Sequence, residues 1–266
     1  MPRFSANLSF LFSEKPFMER FEAASKAGFE FVEYMSPYEF PPEEIARELA
    51  SHRVSQVLFN LPSGDWEKGD RGIACDPSRV EEFREGVERA LEYSNVLGVE
   101  RINCLAGKRL EGVSEEEQWR TLVENLKLAA SRLSRAGKTL LVEPINSFDI
   151  PGFFLNRSSQ ALRLIQEVGA PNLKLQYDVY HMQRMEGELT FTIQKNLGII
   201  GHIQIADNPG RHQPGTGEIN YPFLLRELDR LGYKGFVGLE YIPVPHTIGS
   251  LKWIEEMGFR ISERSV

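Results

Sequence analysis

The chain has 266 residues, 41% of them hydrophobic and 17 of them Phe, with a formal net charge of −7. That length suits one large α/β domain or two small ones, and the apolar content is enough for a substantial core rather than a disordered chain. The negative balance argues against broad binding to nucleic acid or to an anionic membrane, while a local basic pocket stays compatible with it.

Cys75 and Cys104 are too few and too far apart for a disulfide framework or a zinc motif, and read as reduced thiols. The opening MPRFSANLSFLF has polar Ser5, Asn7 and Ser9 inside it and lacks a secretory apolar run and cleavage site. No stretch approaches the ~20 apolar residues that span a bilayer. A soluble cytoplasmic protein is the expectation.

Strand-like and helix-like segments alternate along the chain. Phe4–Leu8 reads as a strand, followed by a helix from Pro16 to Ala27 that Gly28 stops. Phe29–Tyr34 is the second strand, and Pro42–Ser51 a helix opened by Pro and two Glu. Val54–Asn60 is the third strand; the loop Leu61–Asp76 then leads into a helix over Pro77–Leu97. Arg101–Leu105 is the fourth strand, and Ser114–Ala136 a helix whose SEEE start supplies a cap and a capping-box acid. Lys138–Glu143, the loop Pro144–Asn156 and the helix Arg157–Val168 follow. Leu173–Asp178 is the sixth strand, succeeded by a helical region broken at Gly187. Ile200–Ala206, the Gly/Pro-rich loop Asp207–Asn220 and the helix Tyr221–Leu231 come next. Gly235–Glu240 is the eighth strand, and His246–Met257 a closing helix. Eight strand-then-helix units predict a single (β/α)8 TIM barrel, one α/β domain over residues 1–266. The first strand carries no Gly-rich nucleotide fingerprint, which weakens an open doubly wound sheet.

Four late apolar runs carry oxygen donors at their ends: Glu143 in TLLVE, Asp178 in LKLQYD, Gln204 in GHIQIAD and Glu240 in FVGLE. They stand 35, 26 and 36 residues apart, each about one strand-plus-helix unit. In a closed barrel all four reach the C-terminal mouth, where such barrels do chemistry. One carboxylate at a strand end is usually a cap or a surface group; four such donors on successive strands point to a site. Two negative charges ~4 Å apart repel by about 4 kcal/mol at an effective dielectric of ~20, so the set needs a cation or shared protons. Oxygen donors suit a hard divalent ion such as Mg²⁺ or Mn²⁺. Glu143 and Glu240 can also move protons to and from a substrate carbon. Because Gln204 is neutral, a divalent ion leaves a net charge of about −1, which a neighbouring cation must offset.

His181, three residues past Asp178, is either a structural histidine or a donor to a substrate oxygen. Arg211, in the loop NPGRHQPGTGEIN, can reach over the mouth to an anionic substrate group, and Lys108 after the fourth strand is a weaker candidate of that kind. Asn60, His52 and Trp66 are further pocket candidates, and Glu33 is open between cap and site.

The segments MPRFSANLSFLF, KAGFEFVEY, FNLPSGDW, VEPIN, QYDVYHMQ, GHIQIAD, GRHQPGTGEINYPFLL and GYKGFVGLEY together resemble the hydroxypyruvate isomerase family of the xylose isomerase-like barrels. The resemblance covers nearly the whole chain. It implies one divalent ion held by Glu143, Asp178, Gln204 and Glu240, with His181 on substrate oxygen and Arg211 near the substrate. It also implies interconversion of hydroxypyruvate and tartronate semialdehyde through a cis-enediolate, with two glutamates moving the protons. A small-molecule substrate is therefore expected, with no nucleic acid and no membrane, and a homo-oligomer is compatible with the resemblance. The nearest alternative is an isomerase or 3-epimerase of a larger oxo-acid or keto-sugar, such as a 2-oxo-tetronate isomerase. A multi-zinc apurinic endonuclease would want more than the five His present and a basic surface. A barrel that only binds a ligand is a third reading, but no site residue has been lost.

Overall fold

A computed structural model describes residues 1–262. Eight strands close into a barrel in chain order: β1 (Arg3–Asn7), β2 (Phe31–Glu33), β3 (Ser55–Asn60), β4 (Arg101–Cys104), β5 (Thr139–Val142), β6 (Leu173–Asp178), β7 (Ile200–Ile205) and β8 (Phe236–Leu239). Every neighbouring pair is parallel, and β8 closes the ring onto β1. The expected α/β barrel is the observed one.

Strand periodicity divides the side chains into two populations. One set, including Phe4, Val32, Ile102, Leu140, Leu175, Ile203 and Val237, merges with the inner faces of the surrounding helices in one continuous core. The alternate set faces the barrel axis. Leu58, Leu141 and Phe236, with Phe31 against them, form a small separate apolar cluster. The guanidinium groups of Arg3 and Arg101 stack on Phe236 at 4.2 and 5.1 Å. The remaining axial positions include Ser5, Asn7, Glu33, Asn103, Gln176, His202 and Gln204, all buried. Branched apolar side chains usually fill such an interior; here a polar network does.

The helices follow their capping and apolar patterns. Helix α4 (Glu115–Arg135) starts where the Ser114 hydroxyl accepts from the Glu117 N–H, with three Glu in its first turn complementing the helix dipole. It buries Leu122, Leu126, Ala129, Ala130 and Leu133, positions three and four apart that form one stripe against the barrel. Each Leu so buried stabilises the fold by about 1.5–3 kcal/mol. The predicted Pro16–Ala27 and Pro77–Leu97 helices each begin with a tighter three-residue turn, Phe17–Glu19 and Pro77–Arg79, before α1 (Arg20–Lys26) and α3 (Val80–Leu97). The break foreseen at Gly187 falls between α6 (Val179–Met185) and α7 (Leu189–Asn196), where Gly187 has φ +66°.

The closing helix differs most from expectation. It splits into α9 (Thr247–Ser250) and α10 (Trp253–Glu256). Glu14 accepts from both the amide and the hydroxyl of Thr247 and so satisfies the start of α9, while the Ser250 hydroxyl turns back to the Thr247 carbonyl and competes with the helix ladder there.

Candidate active site

Glu143 and Glu240 each sit one residue beyond the last paired residue of their strands, Val142 and Leu239, while Asp178 and Gln204 face each other across the β6–β7 ladder. Glu143, Gln204, Glu240, His181 and Arg211 line one cavity of about 110 Å³ at the C-terminal mouth, with Tyr34, Met35, Asn60, Trp66, Leu105 and Ile150 among its walls. Asp178 borders the same group: its Oδ2 lies 3.4 Å from His181 Nε2 and 3.8 Å from Arg211 Nη2. Ligand atoms of Glu143, Asp178 and His181 all fall within 4.8 Å of one another.

Asp178 divides its two oxygens. Oδ1 caps α6 by accepting the Tyr180 N–H at 2.8 Å, with the His181 N–H at 3.4 Å. Oδ2 is fully buried with no hydrogen-bond partner among the described residues. A buried carboxylate oxygen in that condition is costly unless a cation faces it.

The loop after β7 delivers the cation. Asp207, buried at its root, accepts the N–H groups of Asn208, Gly215, Gly217 and Ile219 at 2.8–3.1 Å. Gly217 has no alternative, since a Cβ there would meet the Asn208 carbonyl at 2.2 Å. Arg211 rides on this frame in a left-handed conformation, φ +57°, with its carbonyl taken by the Ile242 N–H. Its guanidinium donates to Glu240 Oε1 at 2.8 Å.

One guanidinium does not balance three carboxylates. Burial pushes Glu143 well above the ordinary carboxylate range, with Glu240 and Asp178 adding to the effect. Burial raises Asp178 as well, against the pull of Arg211 and the α6 amides. Glu240 is pushed up to about 8 by burial, with Arg211 opposing and Asp178 and Glu33 reinforcing it. Burial disfavours the Arg211 charge too, but Glu240, Asp178 and Glu143 together hold it protonated. The donor set is oxygen-rich, buried and short of positive charge, so it fits a divalent cation.

His181 is neutral, because burial and then Arg211 and Arg184 push its pKa well down. Asn146 decides its tautomer. The Asn146 carbonyl oxygen accepts the Phe148 and Asp149 N–H groups at 3.0 and 2.9 Å, so its amide nitrogen is the atom 2.6 Å from His181 Nδ1. Nδ1 must then accept, and the ring proton sits on Nε2. A protonated Nε2 donates to oxygen and does not ligate a metal.

Below the cavity the polar network runs on. Gln176 Nε2 donates to Glu143 Oε2 at 2.8 Å and to Gln204 Oε1 at 2.7 Å, and Asn103 Nδ2 to Glu143 Oε2 at 3.0 Å. Gln204 Nε2 donates to Glu33 Oε1 at 2.9 Å. Burial would raise Glu33, but His202 beside it and hydrogen bonds from Gln204 and Ser5 win and hold it below the usual range. His202 Nε2 and Glu33 Oε2 are 2.9 Å apart, although the ring N–H is not aimed along that line.

Several candidates fall elsewhere. Lys108 is not on the cavity wall; its ammonium binds the Gly69 carbonyl at 2.8 Å and tethers the loop that carries Trp66. His52 ends α2 (Pro42–His52) beside Glu48, away from the mouth. Glu33 belongs to the interior beneath the site. Asn146, Gln176, Asn103 and His202 were not singled out from sequence. Gln176 and His202 stand two residues before Asp178 and Gln204, the strand spacing that puts both on the same face.

A closed parallel barrel with a buried carboxylate cluster at its C-terminal mouth is the architecture of the xylose isomerase-like TIM barrels, and the profile of that family matches residues 21–257. Within it, the chain belongs to the hydroxypyruvate isomerase family of isomerases. It is 54% identical to hydroxypyruvate isomerase of Escherichia coli (strain K12), over 96% of this chain and 99% of the relative. It is 44% identical to 2-oxo-tetronate isomerase of Cupriavidus necator, over 96% and 98%. A solved structure described as AP endonuclease, family 2 from Brucella melitensis superposes with a TM-score of 0.94 at 44% identity, covering 96% of this chain and 99% of that one.

Proposed function

We propose that the protein interconverts hydroxypyruvate and tartronate semialdehyde by proton transfer between adjacent carbons, with Glu143 and Glu240 as the acid and base. The observation that carries this reading is the buried cluster of Glu143, Asp178 and Glu240 around a cavity of about 110 Å³, with Arg211 on Glu240 and Asp178. Glu143, Asp178, Gln204 and Glu240 would hold one divalent ion, Mg²⁺ or Mn²⁺. When bound, the ion supplies Lewis-acid stabilisation for negative charge building on the substrate oxygens.

The protein's own groups do the rest. One glutamate takes the proton from C3 and the other returns one to C2, while a hydroxyl proton moves from O3 to O2. His181, fixed as an Nε2–H donor, hydrogen-bonds a substrate oxygen. Arg211 is the nearest cation for the substrate carboxylate, and Lys108 acts at one remove through the Trp66 loop. Tyr34, Leu105 and Ile150 restrict water and substrate length.

The four-carbon alternative rests on the 2-oxo-tetronate isomerase relative, which matches the same span. A multi-zinc phosphodiesterase is disfavoured. Among the described histidines His181 lines the cavity, whereas His202 is buried beside Glu33, His212 faces the Ile242 carbonyl and His246 caps α9. The deciding experiment assays EDTA-stripped protein on hydroxypyruvate and on a 2-oxo-tetronate, with and without Mg²⁺ or Mn²⁺. Metal-restored turnover favouring the three-carbon acid is expected. Preference for the four-carbon acid would transfer the assignment, and full activity after stripping would remove the ion from it.

A further inference from the structure

We infer that Glu33 is a positioning residue for Gln204, holding its amide nitrogen so that the amide oxygen stays on the side of Gln176 and Glu143. The inference rests on the metal-site reading above, because only an oxygen-first amide can serve a hard cation there.

An amide is nearly symmetric in shape, so its orientation is set by its partners. Gln204 Nε2 lies 2.9 Å from Glu33 Oε1. That carboxylate accepts from Ser5 Oγ at 2.6 Å on Oε2 and from Asn7 Nδ2 at 3.2 Å on Oε1, and the His202 ring lies beside it. A carboxylate so placed accepts, and a flipped Gln204 would set its oxygen against Glu33 and its NH₂ against the Gln176 amide donor. Gln176 donates to Gln204 Oε1 from the other side, but that residue is itself oriented by Glu143, a group that gains and loses protons in the proposed reaction. Glu33 is sealed from the cavity and so is the constant reference.

The neighbouring strand makes room for this arrangement. Gly238 pairs with both Ser5 and Gln204 across the sheet, and a Cβ there would come within 2.2 Å of Glu33 Oε1. The missing side chain in FVGLE is the space that the carboxylate fills.

The test is a double-mutant cycle read by Mn²⁺ affinity, from the electron paramagnetic resonance signal of free Mn²⁺, alongside melting curves. Glu33→Gln should loosen Mn²⁺ by about 10–100-fold in the wild-type background, the usual effect of losing a group that orients a ligand. In a Gln204→Ala background the same change should loosen it by less than about threefold, because the amide it acts through is gone. Equal losses in both backgrounds would reduce Glu33 to a general structural role and overturn the inference, as would unchanged affinity in Glu33→Gln. If Glu33→Gln does not fold, Glu33→Asp replaces it in the cycle, keeping the charge while withdrawing it from Gln204, with the same coupling expected. Wild-type protein that takes up no Mn²⁺ would sink the metal reading itself, whereas Mn²⁺ binding with an uncoupled cycle sinks this inference alone.

Discussion

Divalent metal should displace protons from this site, and the number released can be worked from the cluster. Glu143, Asp178 and Glu240 are all raised, Glu240 to about 8. A carboxyl at about 8 is protonated in roughly nine molecules of ten at pH 7, and the upward shift of Glu143 acts in the same direction. Ligands must lose such protons to bind a cation, so Mn²⁺ binding at pH 7 should release on the order of one proton per site or more. The logarithm of the apparent affinity should then climb by about one or more per pH unit up to about pH 8. Calorimetric titration of stripped protein in buffers of different ionisation enthalpy counts the protons directly. Stability must follow with a definite sign. Between the ordinary carboxylate value of about 4.5 and the raised values, the metal-free native state binds more protons than the unfolded chain. Raising the pH through that window therefore destabilises the metal-free protein. Melting temperatures in EDTA should fall from pH 5 to pH 8, and saturating Mn²⁺ should abolish most of that slope. Tight binding with no proton release at pH 7 would refute the reasoning, since the cluster would already be ionised.

Glu143→Gln and Glu240→Gln should each lower kcat by at least ~10²-fold, the usual size of lost acid–base catalysis; turnover near wild type in either would exclude that residue. Arg211→Ala should raise KM for hydroxypyruvate more than for an uncharged keto-sugar, and equal increases would point to a purely structural role on Glu240. Asn146→Asp presents an acceptor to His181 Nδ1, so the ring proton should move there and kcat should fall at least about tenfold through loss of an Nε2–H donor. ¹⁵N shifts of the His181 ring read the tautomer, and a neutral ring still protonated on Nε2 alone in that variant would overturn the assignment.

The barrel was legible because two periodicities agree. Each strand segment is short and apolar, each following segment has helical caps and stripes, and eight repeats of that unit leave closure as the simplest parallel arrangement. Boundaries moved by a residue or two where side chains rather than propensity decide the end. Lys138–Glu143 stops its pairing at Val142 because Pro144 follows Glu143 with no N–H to extend the ladder. The split of the last helix was hidden because the Ser250 hydroxyl takes the Thr247 carbonyl, a bond that competes with the helix ladder. The apolar pattern of His246–Met257 does not reveal it.

The rim of the site was legible for the same reason: donors at regular strand ends must share a face once the strands are parallel. The interior beneath it was hidden by a habit of reading. An alternation such as Leu175-Gln176-Tyr177-Asp178 or Ile203-Gln204-Ile205 looks half-exposed, polar side to water, whereas both sides here are buried. In a closed barrel the polar side faces the axis, so each polar residue must find its partner on another strand. That requirement links Ser5, Glu33, Gln176, His202 and Gln204 across four strands, and it explains why a glycine occupies β8 at the level of Glu33. An apolar interior would be the cheaper way to fill the same volume. The polar one follows from the need to fix rotamers of the groups above it: Glu143 is held through Asn103 and Gln176, and Gln204 through Glu33. The orientation of the mouth is thus partly set one layer down, by Asn103 and Glu33 beneath the cavity wall.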